Sequence, residues 1–469
     1  MSEEPTPRPD RTRGLHPYAE RYPVHDRLPE EGMGRDEILR ELREMAEQED
    51  RRYHEGKVSG SIYSGDEKHY AFLTEAFGLF AHANVLQRDM YPSATKFEAE
   101  IVAMTASMLH GDDQTVGVVT SGGTESLMNP MLVYREWGRD TRNITEPEVI
   151  MPVTAHPALD KGAHYFGIRI IHAPVTGDYT VDLDFVREHI GPNTVALVGS
   201  AGTYPHGLVD PIASLADLAL EHGVGLHVDG CLGGFVLPWG EELGYPVPVF
   251  DLRIPGVTSI SADTHKYGFA LKGSSVLLYR PPELRRYQYF MHTTWPGGMY
   301  SSPGMSGSRS GGIIAATWAS MVSLGRDGYL RIARDLFATA DKIKAAVRAL
   351  PELRVMGEPF FNVAFNSEVV DIFHVNDHLA SKGWRMNGLQ RPPALHFCVT
   401  RPNTQAGVAE AFAADLCDAV EYAKNPPRPM PRSGAMYGAG GTEPPREKIV
   451  SGLLSYLDAV HEVGPGVAT

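Results

Sequence analysis

The chain has 469 residues, 42% hydrophobic and 22% charged, a composition ordinary for a globular protein and long enough for two or three units of about 100–200 residues each. Its 43 basic and 58 acidic residues leave a net charge of −15, which argues against a nucleic-acid-coating protein while leaving room for a local basic pocket. The three cysteines, Cys231, Cys398 and Cys417, form no CxxC pair, which excludes a disulfide framework and predicts buried thiols in a reducing compartment.

The N-terminal stretch MSEEPTPRPDRTRG is charged and proline-rich with no apolar run behind it, so it does not read as a signal peptide. No apolar run approaches the roughly 18 residues of a membrane span. Prolines at 5, 7, 9, 17, 23 and 29 predict an extended arm to about residue 35. Ile38, Leu39, Leu42 and Met45 recur at helical spacing and predict a helix over Asp36–Arg52. Further helices are expected over Tyr70–Phe80 and Lys96–Leu109.

From Val116 the pattern changes. Seven short apolar runs (VGVVT, EVIMP, GIRIIHAP, TVALVGS, GLHVDG, SISAD and SSVLLY) follow one another. Helical segments, including Ser126–Trp137, Asp160–Tyr165, Asp182–His189 and Ile212–His222, separate most of them. The alternation predicts an α/β fold with a mainly parallel, seven-stranded sheet and helices on both faces. In such folds ligands sit at the C-terminal ends of the strands. After Gly312, helices over Ile313–Leu324 and Gly328–Leu350 lead into a region mixing helices with short strands (LRVMG, FNVAFN, LHFCVT). The expected organisation is an N-terminal arm and helix (1–60), a large cofactor-binding domain (61–312) and a smaller C-terminal α+β domain (313–469). A Pro/Gly loop is expected over 425–445, with Tyr437 in it as a candidate mobile cover.

Four features at strand ends carry chemistry. Lys266 follows the strand SISA, and desolvation there would favour the neutral amine that forms a Schiff base. A lone Lys is far more often a solvated surface charge. Asp229 ends GLHVD, where a carboxylate can pair with a pyridinium nitrogen or merely cap a turn. Thr120–Ser126 (TSGGTES) joins a strand to a helix and offers backbone N–H groups to one phosphate. It fits neither GxGxxG nor the Walker pattern. His156 follows EVIMPVTA and can stack on a ring. Each feature alone has a bland reading. Together they supply a phosphate cradle, a stacking ring, a pyridinium partner and a Schiff-base lysine. That set predicts a pyridoxal 5'-phosphate site of the aminotransferase-like fold type I.

The stretches KVSGSIYSGDEKHY (57–70), TSGGTES (120–126), HVDGCLGGF (227–235), SISADTHKYGFALKGSSVLLYR (259–280) and GSRSGG (307–312) resemble the sphingosine-1-phosphate lyase family, in the group II branch of the pyridoxal-dependent decarboxylases. The resemblance runs from about Arg35 past Tyr437. It implies Lys266 as the Schiff-base lysine, Asp229 on the ring nitrogen and His156 on the ring face. Gly123, Thr124 and His265 join them as cofactor-binding residues, with Gly307 and Ser308 reaching the phosphate across a homodimer interface. His206, in TYPHG, lies near the ring or its lysine. Tyr63 and Lys272 are implied as catalytic groups acting on proton transfer. Asn84, Gln87 and Lys272 are implied at the substrate phosphate. Gln87 stands where the family carries a His, with Arg88 beside it as a candidate replacement cation, and Gly230 replaces an Ala. No metal ligand is implied.

The implied reaction is retro-aldol cleavage of a phosphorylated sphingoid base to a long-chain aldehyde and phosphoethanolamine. The family's eukaryotic members carry a membrane anchor that is not seen here, so a cytoplasmic enzyme is expected. The rival on the same scaffold is an amino-acid decarboxylase, with Lys272 or Arg309 facing the substrate carboxylate. A second rival is an inert protein that keeps only the fold.

Overall fold

The computed structural model describes residues 15–433 and 446–463. Residues 15–34 form turns without helix or strand, and Tyr437 lies outside the described residues. Helices α1 (Arg35–His54), α2 (Glu67–Leu79) and α3 (Pro92–Met108) come first. The first strand β1 (Val116–Thr120) is followed by α4 (Gly123–Arg142), β2 (Glu148–Pro152), α5 (Ala158–Phe166), β3 (Arg169–Ala173), α6 (Leu183–His189) and β4 (Thr194–Ser200). Then come α7 (Ile212–His222), β5 (Gly225–Asp229), α8 (Leu237–Glu242), β6 (Ser259–Ala262) and β7 (Ser275–Tyr279). Helix α9 (Pro282–Arg286) and the ribbon β8 (Phe290–His292) with β9 (Tyr300–Ser302) lead to α10 (Gly311–Arg348). The C-terminal part holds β10 (Arg354–Val355), β11 (Asn362–Asn366), α11 (Ile372–Ser381), β12 (Asn387–Leu389), β13 (Ala394–Cys398), α12 (Val408–Lys424) and α13 (Arg446–Val460).

The seven expected strands form one sheet in the order β1-β7-β6-β5-β4-β2-β3. Pairings from β6 through β5, β4 and β2 to β3 are parallel, and β7 runs antiparallel between β6 and β1. Successive residues of each strand face opposite sides. Val149 and Met151 join a core cluster with α4 and α5, whereas Ile150 joins the cluster with α3, α7 and α10. Leu197, between Ala196 and Val198, divides in the same way. Both faces are therefore covered, which is why these strands read as continuous apolar runs. A second, antiparallel sheet in the order β10-β11-β13-β12 forms the smaller C-terminal α+β unit.

Several helix starts lie earlier than the periodicity implies. Helix α2 begins at Glu67 because the Asp66 carboxylate accepts from the backbone N–H groups of Lys68 and His69. Helix α4 begins at Gly123, three residues before the expected start at Ser126. The two expected helices after Gly312 are one run broken at Gly325, whose φ of 57° and ψ of 178° interrupt the ladder.

Among the buried histidines of the described residues are His206, His227 and His396, at 6%, 1% and 0% exposure. Burial pushes each of them down to about 4. All three are neutral in both states at high pH. As pH falls from about 6.5 the unfolded chain takes up protons that the folded chain refuses, so stability declines until about pH 4. Urea midpoints of the apoprotein should fall across that window, and a flat profile would contradict the placement of these rings.

Candidate active site

The C-terminal ends of β1, β4, β5 and β6 converge on one edge of the sheet. Because β7 is antiparallel, its first residue Ser275 pairs with Thr120, the last of β1. Beside them lie Asp229 at the end of β5 and Asp263 just past β6. Asp229 is 9% exposed, and its Oδ1 accepts from the Cys231 backbone N–H at 3.0 Å. His156 lies in the field of Asp229, Lys266 and Asp263; burial lowers its pKa. Its Nδ1 accepts from the Ala158 N–H at 3.1 Å, which leaves the proton on Nε2.

The Thr120–Ser126 turn wraps close to this edge. Gly122 has φ 145°, and a side chain there would sit 3.5 Å from the His265 ring. A Cβ on Gly123 would approach an Asp263 carboxylate oxygen to 2.6 Å, so only glycine fits. No side chain caps the N-terminus of the 20-residue α4. Its first N–H groups and the positive end of its dipole are available to an anion. His265 is held by its Nδ1 donating to the Ser274 carbonyl at 2.6 Å.

Lys266 corrects the sequence expectation. Burial, the largest single effect, pulls its ammonium down, but Asp263 together with Tyr63, Cys231 and Asp229 outweighs burial and holds it above the ordinary lysine value. The Asp263 Oδ2 is 3.0 Å from Nζ. Lys266 is thus an ammonium in an ion pair, not a neutral amine made so by desolvation. The partner was visible three residues upstream, in DTHK, where a turn brings i and i+3 together.

Tyr63 and Lys272 both lie within the field of Lys266. The Tyr63 ring meets Tyr267 edge-on at 5.0 Å, and Lys272 Nζ lies 4.8 Å from its centroid. Burial and the charge of Lys266 both lower the pKa of Lys272. Burial pushes the Tyr63 hydroxyl up. His206 packs on Tyr179 at 4.9 Å between centroids, and its buried Nδ1 has no partner. Thr124 is exposed in the first turn of α4.

The remaining expected residues gather elsewhere. Asn84 Nδ2 donates to Ser308 Oγ at 3.0 Å, and Asn84 Oδ1 accepts from the Arg309 N–H at 3.3 Å. Gly307 and Arg88 line a cavity of about 580 Å³ with Tyr289, Met291 and Arg309. Gln87 is exposed and holds Asn84 through its backbone. Neither arginine is a free cation. Arg309 donates to both Glu98 oxygens and to the Val119 carbonyl, and Arg88 donates to Glu98 at 2.7 Å. Burial alone would raise Glu98, but the two guanidiniums hold it below the usual range. No pattern in the sequence singles out Glu98.

The sequence profile of the pyridoxal-dependent decarboxylase conserved domain matches residues 17–367. The sphingosine-1-phosphate lyase of Dictyostelium discoideum is 41% identical over 93% of this chain and 82% of that protein. The mouse sphingosine-1-phosphate lyase 1 is 40% identical over 93% and 77%. The chain belongs to the sphingosine-1-phosphate lyase family. A solved sphingosine-1-phosphate lyase of Burkholderia pseudomallei superposes with a TM-score of 0.90 at 51% identity, covering 96% of this chain and all of that one. A glutamate decarboxylase of Lactobacillus brevis, at 19% identity and a TM-score of 0.73, shares the fold. The cofactor of the family is pyridoxal 5'-phosphate, and the residues fit it. An uncapped helix N-terminus against side-chain-free Gly122 and Gly123 suits its phosphate, Asp229 its ring nitrogen and Lys266 its carbonyl carbon.

Replacing Asp263 by Ala should cost the apoprotein about 2–3 kcal/mol, short of the full 3–5 kcal/mol for a buried pair because Lys266 keeps some solvent. Urea unfolding measures it. Removing both charges, in Asp263→Ala/Lys266→Met, should recover much of the loss. A single-variant cost below about 0.5 kcal/mol would mean the pair is worth no more than a surface one.

Proposed function

We propose that this protein is a pyridoxal phosphate-dependent carbon–carbon lyase. It cleaves a phosphorylated sphingoid base, sphingosine 1-phosphate or its dihydro form, to a long-chain aldehyde and phosphoethanolamine. The observation that carries this reading is the Tyr63–Lys272 pair beside Lys266. Retro-aldol cleavage needs a group to take the substrate's hydroxyl proton, which decarboxylation does not. Lys272, its pKa lowered by burial and a neighbouring ammonium, and the Tyr63 hydroxyl are the two candidates for that task. Of the two cations that a decarboxylase could turn to its substrate carboxylate, Lys272 and Arg309, the second is committed to Glu98.

When bound, the cofactor supplies an electron sink for the pair released as the bond between the amine-bearing and hydroxyl-bearing carbons breaks. Lys266 would tether it once the ammonium proton is lost. Asp229 would hold a proton on the ring nitrogen. His156, neutral through burial, would cover one ring face without competing for that charge. Gly123, Thr124 and His265 would hold the cofactor phosphate. His206, neutral and with an open Nδ1, would lie near the ring oxygen or its lysine. Asn84, Gln87 and Lys272 would meet the substrate phosphate.

The assembly we propose is a homodimer in which Gly307 and Ser308 of one subunit complete the phosphate site of the other. Two observations support it. Those residues cluster with Asn84, and α1 buries none of its 20 residues, leaving Ile38, Leu39 and Leu42 open. A cytoplasmic location is supported by three free thiols.

Mass spectrometry of the products decides the activity. Holoenzyme given a phosphorylated sphingoid base should yield fatty aldehyde and phosphoethanolamine, and Lys266→Ala should not. Carbon dioxide from an amino acid, with the sphingoid phosphate untouched, would replace this reading with the decarboxylase. Shared sites are tested by complementation. Lys266→Ala and Ser308→Asp subunits, each inactive alone, should regain part of the activity when refolded together. No regain would place each site within one chain.

A further inference from the structure

His227 has no part in the chemistry described so far. It is 1% exposed, two residues before Asp229 on β5, so both side chains emerge on the same face of the sheet. Its two ring nitrogens are both engaged. Nδ1 lies 2.8 Å from Ser259 Oγ and Nε2 lies 3.4 Å from Ser261 Oγ. The Cys231 thiol donates to Ser261 Oγ at 3.2 Å, and the Cys231 backbone N–H is the donor that holds Asp229 Oδ1. On the other side, Ser259 Oγ meets the Tyr134 hydroxyl at 2.7 Å, Tyr134 meets Thr258 Oγ1 at 2.7 Å, and Thr258 donates to the Leu226 carbonyl at 3.1 Å.

One direction of donation satisfies this whole buried chain. The Cys231 S–H gives to Ser261, and the Ser261 O–H gives to His227 Nε2. The His227 Nδ1–H gives to Ser259, Ser259 gives to Tyr134, Tyr134 to Thr258 and Thr258 to a backbone carbonyl. That sequence needs a neutral imidazole with its proton on Nδ1, because a second ring proton would collide with the Ser261 donor.

We propose that His227 is a positioning residue for Asp229: as a neutral Nδ1–H imidazole it fixes Ser261 and Cys231, and through the Cys231 N–H it aims the Asp229 carboxylate at the cofactor ring nitrogen. The inference rests on Asp229 being the ring-nitrogen partner. Neutrality is part of the device. A charged imidazole beside Asp229 would share its negative charge; burial holds His227 down at about 4, so the charge stays undivided. The polar chain extends from the carboxylate back to Tyr134 on α4, the helix whose first turn cradles the phosphate.

The test is cofactor affinity, read as the absorbance change when pyridoxal phosphate is titrated into apoprotein, in a double-mutant cycle. Asp229→Asn must weaken the cofactor; if it does not, the Asp229 assignment itself fails. Given that, His227→Leu should weaken it by about tenfold, the low end of what loss of an outer partner costs a metal site, and His227→Gln should restore most of the loss. In the Asp229→Asn background His227→Leu should add nothing further. Unchanged affinity in His227→Leu, or a full additional loss in the double variant, would overturn the proposal. Should His227→Leu not fold, as judged by apoprotein melting, Ser261→Ala takes its place in the cycle: a loss absent from the Asp229→Asn background supports the proposal, and no loss or an additive one overturns it.

Discussion

A carboxylate sealed from water must be compensated where it stands, and Asp263 is 1% exposed at the end of β6. Burial would raise its pKa, but Lys266 and His265 outweigh burial and keep it ionised. That one charge orders much of the site. It fixes Lys266, it lies within 4 Å of His265 Nε2, and it leaves no room for a side chain on Gly123. The glycine turn and the lysine strand are therefore two sides of a single electrostatic contact. Uncompensated, the lysine and the carboxylate would each be a buried charge of several kcal/mol.

The C-terminal unit matters to the site through β13. Ser59 Oγ donates to the His396 carbonyl, and Gly60 donates to Cys398. Asn403 Nδ2 donates to the Gly56 and Val58 carbonyls, and the Arg401 N–H to that of Tyr63. The segment carrying Tyr63 is thus laid along a strand nearly 340 residues away in sequence. The same sheet holds the loop of His206: Asn362 donates to the Tyr204 carbonyl and His396 Nδ1 to that of Pro205. Gly207, at φ 71°, presses on the Asn362 backbone so closely that a Cβ would stand 2.1 Å from its oxygen. Two loops of the site are therefore set by the second sheet, while Asp229 and Lys266 are set by the first.

What the sequence discloses follows from the range of each interaction. Strand positions are legible because burial on both faces leaves runs such as TVALVGS, and the cradle is legible because TSGGTES joins a strand to a helix. The charge state of Lys266 is misread from the strand alone, since desolvation is inferred from the strand and its compensation from a neighbour in a turn. Arg88 and Arg309 look like spare cations for the same reason: Glu98 meets both of them only after three separate segments have folded together. LHFCVT reads as an ordinary core strand, and it is one. Its bonds to the Tyr63 segment use backbone groups and Ser59, which no side-chain pattern announces.

The Glu98 node bears on Gln87, where the sequence leads one to expect a departure from the family. Arg88 and Arg309 reach the same buried carboxylate from two segments, so the turn at Asn84 and the loop of Ser308 are locked together, with the Asn84–Ser308 bond alongside. Gln87 rides on that locked unit with its backbone bonded to Asn84 and Tyr91 and its side chain exposed. Changing its side chain alters what the surface offers a phosphate without moving the backbone that offers it. An amide there offers a donor and carries no pH-dependent charge. Glu98 offsets only one of the two guanidinium charges that reach it, so the node beside Gln87 keeps a net positive charge held in fixed geometry.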